Sequence, residues 1–183
     1  MSKAVHIGYT IITVIIAVAL VIGSAWFSRT HMSSVSGDSM EPTLYSGDIT
    51  FGSTSNDVSK GDTIVFKDTD HWKDGESLII KKVVAVSGDT VTIDANGILI
   101  VNNIRVDSPS QTYDIACPIA PKTVKVPAGK VFVRGDNIKV SDDSRYQLCT
   151  GGKPFVPVSS IKINVTGYIP IGHIIHKITG ASS

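Results

Sequence analysis

Residues 7 to 27, IGYTIITVIIAVALVIGSAWF, carry no charge. A helix rising about 1.5 Å per residue would extend roughly 32 Å over that run, about the thickness of a bilayer's hydrocarbon core. Trp26 and Phe27 stand where an interfacial aromatic belt would lie, Lys3 precedes the run and Arg29 follows it, a weak positive-inside signal. Gly23, Ser24 and Ala25 are small enough for a signal-peptide cleavage site. The apolar core of a signal peptide, however, runs only about 7 to 15 residues. The run therefore reads as a retained single-pass anchor, and on either reading everything after Phe27 lies outside the cytoplasm.

That assignment sets the terms for the remaining residues. A chain of 183 residues holds one domain, or one core with a modest insertion. Its net charge of +1 and lack of a clustered basic helix give no footprint for nucleic acid. Export permits a disulfide between Cys117 and Cys149, but two cysteines make neither a framework nor a metal site. His173 and His176 stand at i and i+3 without a third ligand nearby and read as surface or packing residues. No metal and no cofactor is expected.

Beyond the anchor the pattern is short β-branched runs between turn signals. They are ITFGS (49–53), DTIVF (62–66), LIIKKVVAV (78–86), TVTID (90–94), ILIVNN (98–103), TVKV (123–126), KVFVRG (130–135) and IKINVTGYI (161–169). Gly-Asp pairs begin at 47, 61, 88 and 135. Many short strands at this spacing predict a mainly β, sandwich-like or barrel-like core. Asn96-Gly97 is a hairpin signal, and the polar, proline-bearing stretch after it reads as an excursion from the core. The expected organisation is an anchor at 1–28, a core at 29–94 and 129–178, a small inserted subdomain at 95–128, and a tail at 179–183. Residues 169–178, IPIGHIIHKI, can form a short amphipathic helix but are too short to cross a membrane.

Two features suggest chemistry. Ser39 lies in VSGDSMEPTLYSGD (35–48), after Gly37 and before Pro42. Gly37 permits backbone angles suited to a close approach, and Pro42 fixes the exit of the turn. None of the five histidines has a motif around it that recommends it as a base. In LIIKKVVAV, by contrast, Lys81 and Lys82 interrupt an apolar strand. Alternation puts Lys81 on the face of Ile79, Val83 and Ala85, and Lys82 on that of Ile80 and Val84. Whichever face is the core, one ammonium is pushed into an apolar setting, which lowers a lysine's pKa and suits it to act as a general base. The alternative is an edge strand whose lysines reach solvent.

Four blocks in order resemble the bacterial type I signal peptidases, membrane-anchored Ser/Lys endopeptidases. They are SGDSMEPTLYSGD, GDTIVF (61–66), IIKKVVAVSGD (79–89) and GDNIKVSDDSR (135–145). The resemblance runs from the anchor to about residue 146. It implies an antiparallel β core with a small inserted β subdomain behind one transmembrane helix. It implies Ser39 as nucleophile and selects Lys81 over Lys82 as general base. Ser141 matches the position that orients the lysine, Asp143 and Arg145 match a structural ion pair, and Asp136 is expected to brace the region against Lys82 or Arg145. The backbone N–H of Ser39 is the expected oxyanion donor. Gly37 stands where some relatives carry a serine that helps it, which leaves the second donor unidentified. Ile138, Lys139 and Val140 also depart from the polar residues common in the last block.

The resemblance further implies removal of signal peptides from exported preproteins at the outer face of the bacterial cytoplasmic membrane. Lipid is then the partner of the anchor. Ser39 follows Phe27 by a dozen residues, a leash of at most about 40 Å, which suits a bond emerging from the bilayer. The substrate is expected as an extended strand added to a β edge, contacting Val35, Ser36, Asp38, Met40, Ile79 and Val83. Two other readings compete with this one. A Ser/Lys self-cleaving repressor needs a DNA-binding domain where this chain has an apolar run. A non-catalytic signal-peptidase-like assembly factor, as in pilus assembly, would lack Ser39 or Lys81.

Overall fold

The computed structural model describes residues 3–27, 30–55, 57–70, 72, 78–106 and 121–180. Arg29 and Cys117, and residues 181–183 of the expected tail, lie outside them. In chain order the elements are α1 (Lys3–Phe27), β1 (Thr30–Ser34), β2 (Ile49–Ser53), β3 (Thr63–Lys67), β4 (Leu78–Ala85), β5 (Thr90–Ile93), β6 (Leu99–Val101), β7 (Ile104–Arg105), β8 (Lys122–Lys125), β9 (Lys130–Arg134), α2 (Ser144–Thr150), β10 (Val156–Pro157), β11 (Ile161–Ile169) and α3 (Ile171–Thr179).

The uncharged run forms α1, and its segment Ile7–Ser24 is long and apolar enough to cross a membrane. None of that segment is buried against the rest of the chain, so the domain's own core gives the helix no apolar surface to cover. The described strands form two sheets, of order β1-β2-β11-β3-β4-β9-β10 and β7-β6-β5-β8, and every pairing is antiparallel. The fold is mainly β, as the spacing of apolar runs predicts.

Cross-strand partners share a face, and this sorts β4. Lys81 is opposite Ile64 and Ile79 opposite Phe66, so the side bearing Lys81 packs into the core of Ile64, Phe66, Ile79, Val83, Val131 and Val133. Lys82 is opposite Thr63 and Arg134 on the other face. A second core joins the two sheets: Ala85 of β4 and Phe132 of β9 pack with Val91, Ile93, Leu99 and Val101 of the smaller sheet and with Leu148 and Cys149 of α2.

Four short elements escape the periodicity: β1, β7, β10 and α2. The run 98–103 ends as a strand at Val101, because Asn102 and Asn103 take positive φ (49° and 66°) and turn the chain into β7. Asparagine tolerates that region better than most residues, and such a pair suits a two-residue hairpin loop. At Asn96-Gly97 the expected hairpin joins β5 to β6, with the Asp94 carboxylate accepting from the N–H groups of Asn96 and Ile98. The smaller sheet takes in β5, and so begins at Thr90 rather than after residue 94.

Candidate active site

Ser39 sits in a tight turn after β1. Glu41 N–H donates to Asp38 O, and Leu44 N–H to Met40 O. Met40, Leu44 and Val35 are buried together, with Ile80 of β4 packed on them. This apolar plug seats the serine turn on β4, beside Lys81. Lys81 Nζ lies 2.7 Å from Ser39 Oγ, within hydrogen-bond distance. The lysine is 1 % exposed.

The segment 135–145 closes the site from the other side. Asn137 N–H donates to Ser39 O. A Cβ on Gly135 would collide with both Ser141 Oγ and Ser39 O, so glycine is what lets these chains meet. Ser141 is 2 % exposed. Its Oγ makes no well-aligned hydrogen bond, although it is near enough to the Asp143 carboxylate to favour its charged form. The lysine-orienting bond implied by resemblance is thus not made in this structure, while Ser141 and the Ser39 backbone meet at Gly135.

Asp143 is the anchor of the segment and the N-cap of α2, accepting from Arg145 N–H. It also accepts from Gly135 N–H and, with both oxygens, from the Arg145 guanidinium, Nη2 at 2.6 Å. Both side chains are essentially inaccessible. Burial pushes the Asp143 carboxyl up, but the Arg145 charge, its hydrogen bonds, Gly135 N–H and the Ser141 hydroxyl hold it below its ordinary value. Asp136 pairs with Lys82 rather than Arg145, both oxygens within 2.8 Å of Nζ, and accepts from Thr43 Oγ1. It ties the serine turn to the 135–145 segment.

A cleft of about 280 Å³ opens on Ser39 and Lys81, lined also by Ser33, Ser36, Val65 and Ile79 among others. Of the residues expected to touch substrate, Ser36 and Ile79 line it. Val35 and Met40 lie in the plug, Val83 in the core, and Asp38 is half-buried outside the lining. On one side runs β1, an edge strand of the sheet. On the other, β9 pairs with β4 only from Lys82 onward, so among the described residues no strand covers Leu78–Ile80 there. Gly37 adopts φ +84° with nothing within 4 Å of where a Cβ would stand, leaving the approach to Ser39 open.

One support has no local signal in the sequence. Asp48 is fully buried and accepts from Tyr45 N–H and His173 N–H, and His173 Nδ1 lies 2.6 Å from its Oδ2. Asp48 closes the serine turn, since its carbonyl accepts from Val35 N–H. His173 lies on α3, 125 residues further on; it is the packing histidine the sequence allowed, but its partner could not be read from its neighbours.

Residues 6–175 match the family described as signal peptidase, peptidase S26. Signal peptidase IB of Staphylococcus aureus is 32 % identical over 61 % of this chain and 66 % of its own length, so the matched stretch spans just under two thirds of that relative. Mitochondrial inner membrane protease subunit 1 of Mus musculus is 31 % identical, over 61 % of this chain and 55 % of its own. Among solved structures, a signal peptidase I from Enterococcus faecalis aligns with 60 % of this chain and 97 % of its own, at 26 % identity and a TM-score of 0.42.

Proposed function

This chain belongs to the signal peptidase, peptidase S26 family, and we propose that it is an endopeptidase that removes N-terminal signal peptides from exported preproteins through a Ser39/Lys81 dyad. The observation that carries the reading is the 2.7 Å contact between Lys81 Nζ and Ser39 Oγ at a lysine 1 % exposed. Desolvation disfavours the ammonium, so the neutral amine becomes accessible. That amine takes the Ser39 proton as Oγ attacks the scissile carbonyl, and the backbone N–H of Ser39 receives the oxyanion. Collapse of the tetrahedral intermediate passes the proton from Lys81 to the departing amine and leaves an acyl-serine. Lys81 then deprotonates water to hydrolyse the ester, and its proton returns to Ser39.

The substrate binds as an extended strand between β1 and residues 78–80, where backbone groups at strand edges supply main-chain bonds and Ile79 supplies apolar contact. Ser141, buried beside the Ser39 backbone, is the hydroxyl available to orient the lysine. Asp143, Arg145 and Asp136 hold its wall. The division of labour is an anchor to residue 28, the seven-stranded sheet as catalytic core, and the smaller sheet as an inserted subdomain. α1 stays in the bacterial cytoplasmic membrane as a single pass, with the catalytic part on the extracytoplasmic side.

The test is cleavage of a preprotein panel by full-length protein in detergent or lipid, with the cut sites mapped by mass spectrometry. Cuts just beyond the apolar segment of the signal peptide are expected, and Ser39→Ala and Lys81→Ala each abolish them. Normal turnover by Lys81→Ala would sink the dyad. Full inactivity of the parent chain on every preprotein would instead favour the assembly-factor reading.

A further inference from the structure

Between two buried residues of the segment 135–145 the chain turns outward. Ile138 and Ser141 are 5 % and 2 % exposed. Of the two residues between them, Lys139 is exposed and Val140 is exposed to 60 %. They fall where the last sequence block departs from the polar residues common in the family. The other charges near them are engaged: Asp136 with Lys82, Asp143 with Arg145, and Asp142 with the Gln147 amide. Lys139 enters none of the ion pairs among the described residues, and Val140 joins none of the described apolar clusters. Neither side chain holds the segment in place. One exposed valine is ordinary on a protein surface, so the weight falls on where this pair stands.

The turn is fastened to Ser39 at both ends. Asn137 N–H donates to Ser39 O, and the Ser141 hydroxyl and Ser39 O meet at Gly135. None of 135–145 lines the cleft, whose walls at 33–36 and 78–80 both run in sequence toward Ser39 and Lys81. β1 begins at Thr30, close behind the end of α1 at Phe27. A substrate whose apolar segment lies in the membrane therefore enters along β1 and reaches Ser39 with its N-terminal side behind it. Its residues after the scissile bond leave past Ser39, where the 135–145 segment stands. Three extended residues cover roughly 10 Å.

We propose that Lys139 and Val140 form a subsite for those residues, favouring preproteins whose mature chain carries an apolar residue and a carboxylate among its first three. The inference rests on the peptidase reading, with Ser39 as nucleophile. Val140 supplies the apolar contact and the Lys139 ammonium attracts the carboxylate. An exposed ion pair is weak, so the subsite ranks substrates and does not exclude them. It acts on which bonds are cut fastest, through contacts outside the reacting atoms.

The experiment uses the full chain in lipid and one preprotein with a fixed signal peptide. Its first three mature residues are Ala-Glu-Glu, Ala-Gln-Gln or Ala-Lys-Lys, and kcat/KM is read for each. In the parent the Glu form should exceed the Lys form a few-fold, and the difference should shrink in about 0.5 M salt. Lys139→Gln should level the series and Lys139→Glu should invert it. Lys125→Glu, the same charge change on β8 of the smaller sheet, should keep the parental order. A second pair, with Leu or Ser at the second mature position, tests the valine: the parent should prefer Leu a few-fold, and Val140→Asn should lose that preference. An unchanged Glu-to-Lys ratio in Lys139→Glu, at the parental unfolding midpoint, overturns the subsite alone. So does a loss shared equally by all three substrates, which would make Lys139 a structural residue. If neither Lys139 variant folds, the parent decides: a series without order, or one indifferent to salt, overturns the subsite. A parent inactive on every preprotein overturns the peptidase reading, and the subsite with it.

Discussion

The two segments that meet at Ser39 are each fastened by one fully buried carboxylate, and the fastenings differ in kind. In 135–145, Asp143 holds a guanidinium that carries its charge at every working pH. In the serine turn, Asp48 holds an imidazole from a distant helix, where an Nδ1–H in either the neutral or the cationic ring suffices as donor. The first support is local, two residues apart in sequence, while the second reaches 125 residues along the chain. The wall of the site is thus built into one segment, but the Ser39 turn depends on the C-terminal helix staying docked.

That contrast can be broken most severely at Asp143. Asp143→Ala strands a buried guanidinium, for which a loss of about 3–5 kcal/mol in denaturant unfolding is expected, with activity lost alongside. A loss below about 1 kcal/mol would show that Arg145 finds solvent or another acid. Next comes Asp48→Ala, which leaves the N–H groups of Tyr45 and His173 without their acceptor, at about 1–3 kcal/mol for each buried group. His173→Ala should be milder and His173→Asn should recover part of the loss, because the amide can donate where Nδ1–H does. If the asparagine variant is no better than alanine, the ring's packing against Tyr45 and Tyr168, not its hydrogen bond, is what holds α3.

Acid sharpens the same comparison. The folded-state pKa of Asp143 is lowered from 3.8. Its contribution to stability is therefore whole above roughly pH 4 and is lost as pH falls through the lower folded value. Asp143→Asn should flatten that acid-side decline in a pH series of unfolding midpoints. The smallest effect is expected at the part-exposed pair: Lys82→Met should cost up to about 1 kcal/mol and keep much of the cleavage activity. Loss of activity at Lys82 with retention at Lys81 would reverse the assignment of the base.

The strands were legible where side chains alternate over four or more residues, as in TVTI (90–93) and LIIKKVVA (78–85). β1, THMSS, carries no such alternation; it is a strand because β2 pairs with all five of its residues. α2 is two turns long, too short for a period, although its Asp143 cap and the Gly151 C-cap at φ +83° were both present as signals. In the site, the partner proposed for Ser39 could be narrowed to two lysines by pattern and to one by resemblance. The plug of Val35, Met40 and Leu44 could not be foreseen, because Val35 and Met40 beside Ser39 read equally as substrate contacts. Nor could Asp48–His173, a contact that exists only once β2 and β11 have paired.

The β3–β4 pairing acts on the tandem lysines as a reading frame. Lys81 faces the core because it stands opposite Ile64, and Lys82 faces outward because it stands opposite Thr63. A strand's sidedness inverts with each single-residue step. Deleting Ile79 would bring Lys82 into the place of Lys81 facing Ser39, whereas two inserted residues would keep the original sidedness with the lysine displaced by about 7 Å along the strand. A change before Leu78 that keeps the β3–β4 register leaves Lys81 on the core side.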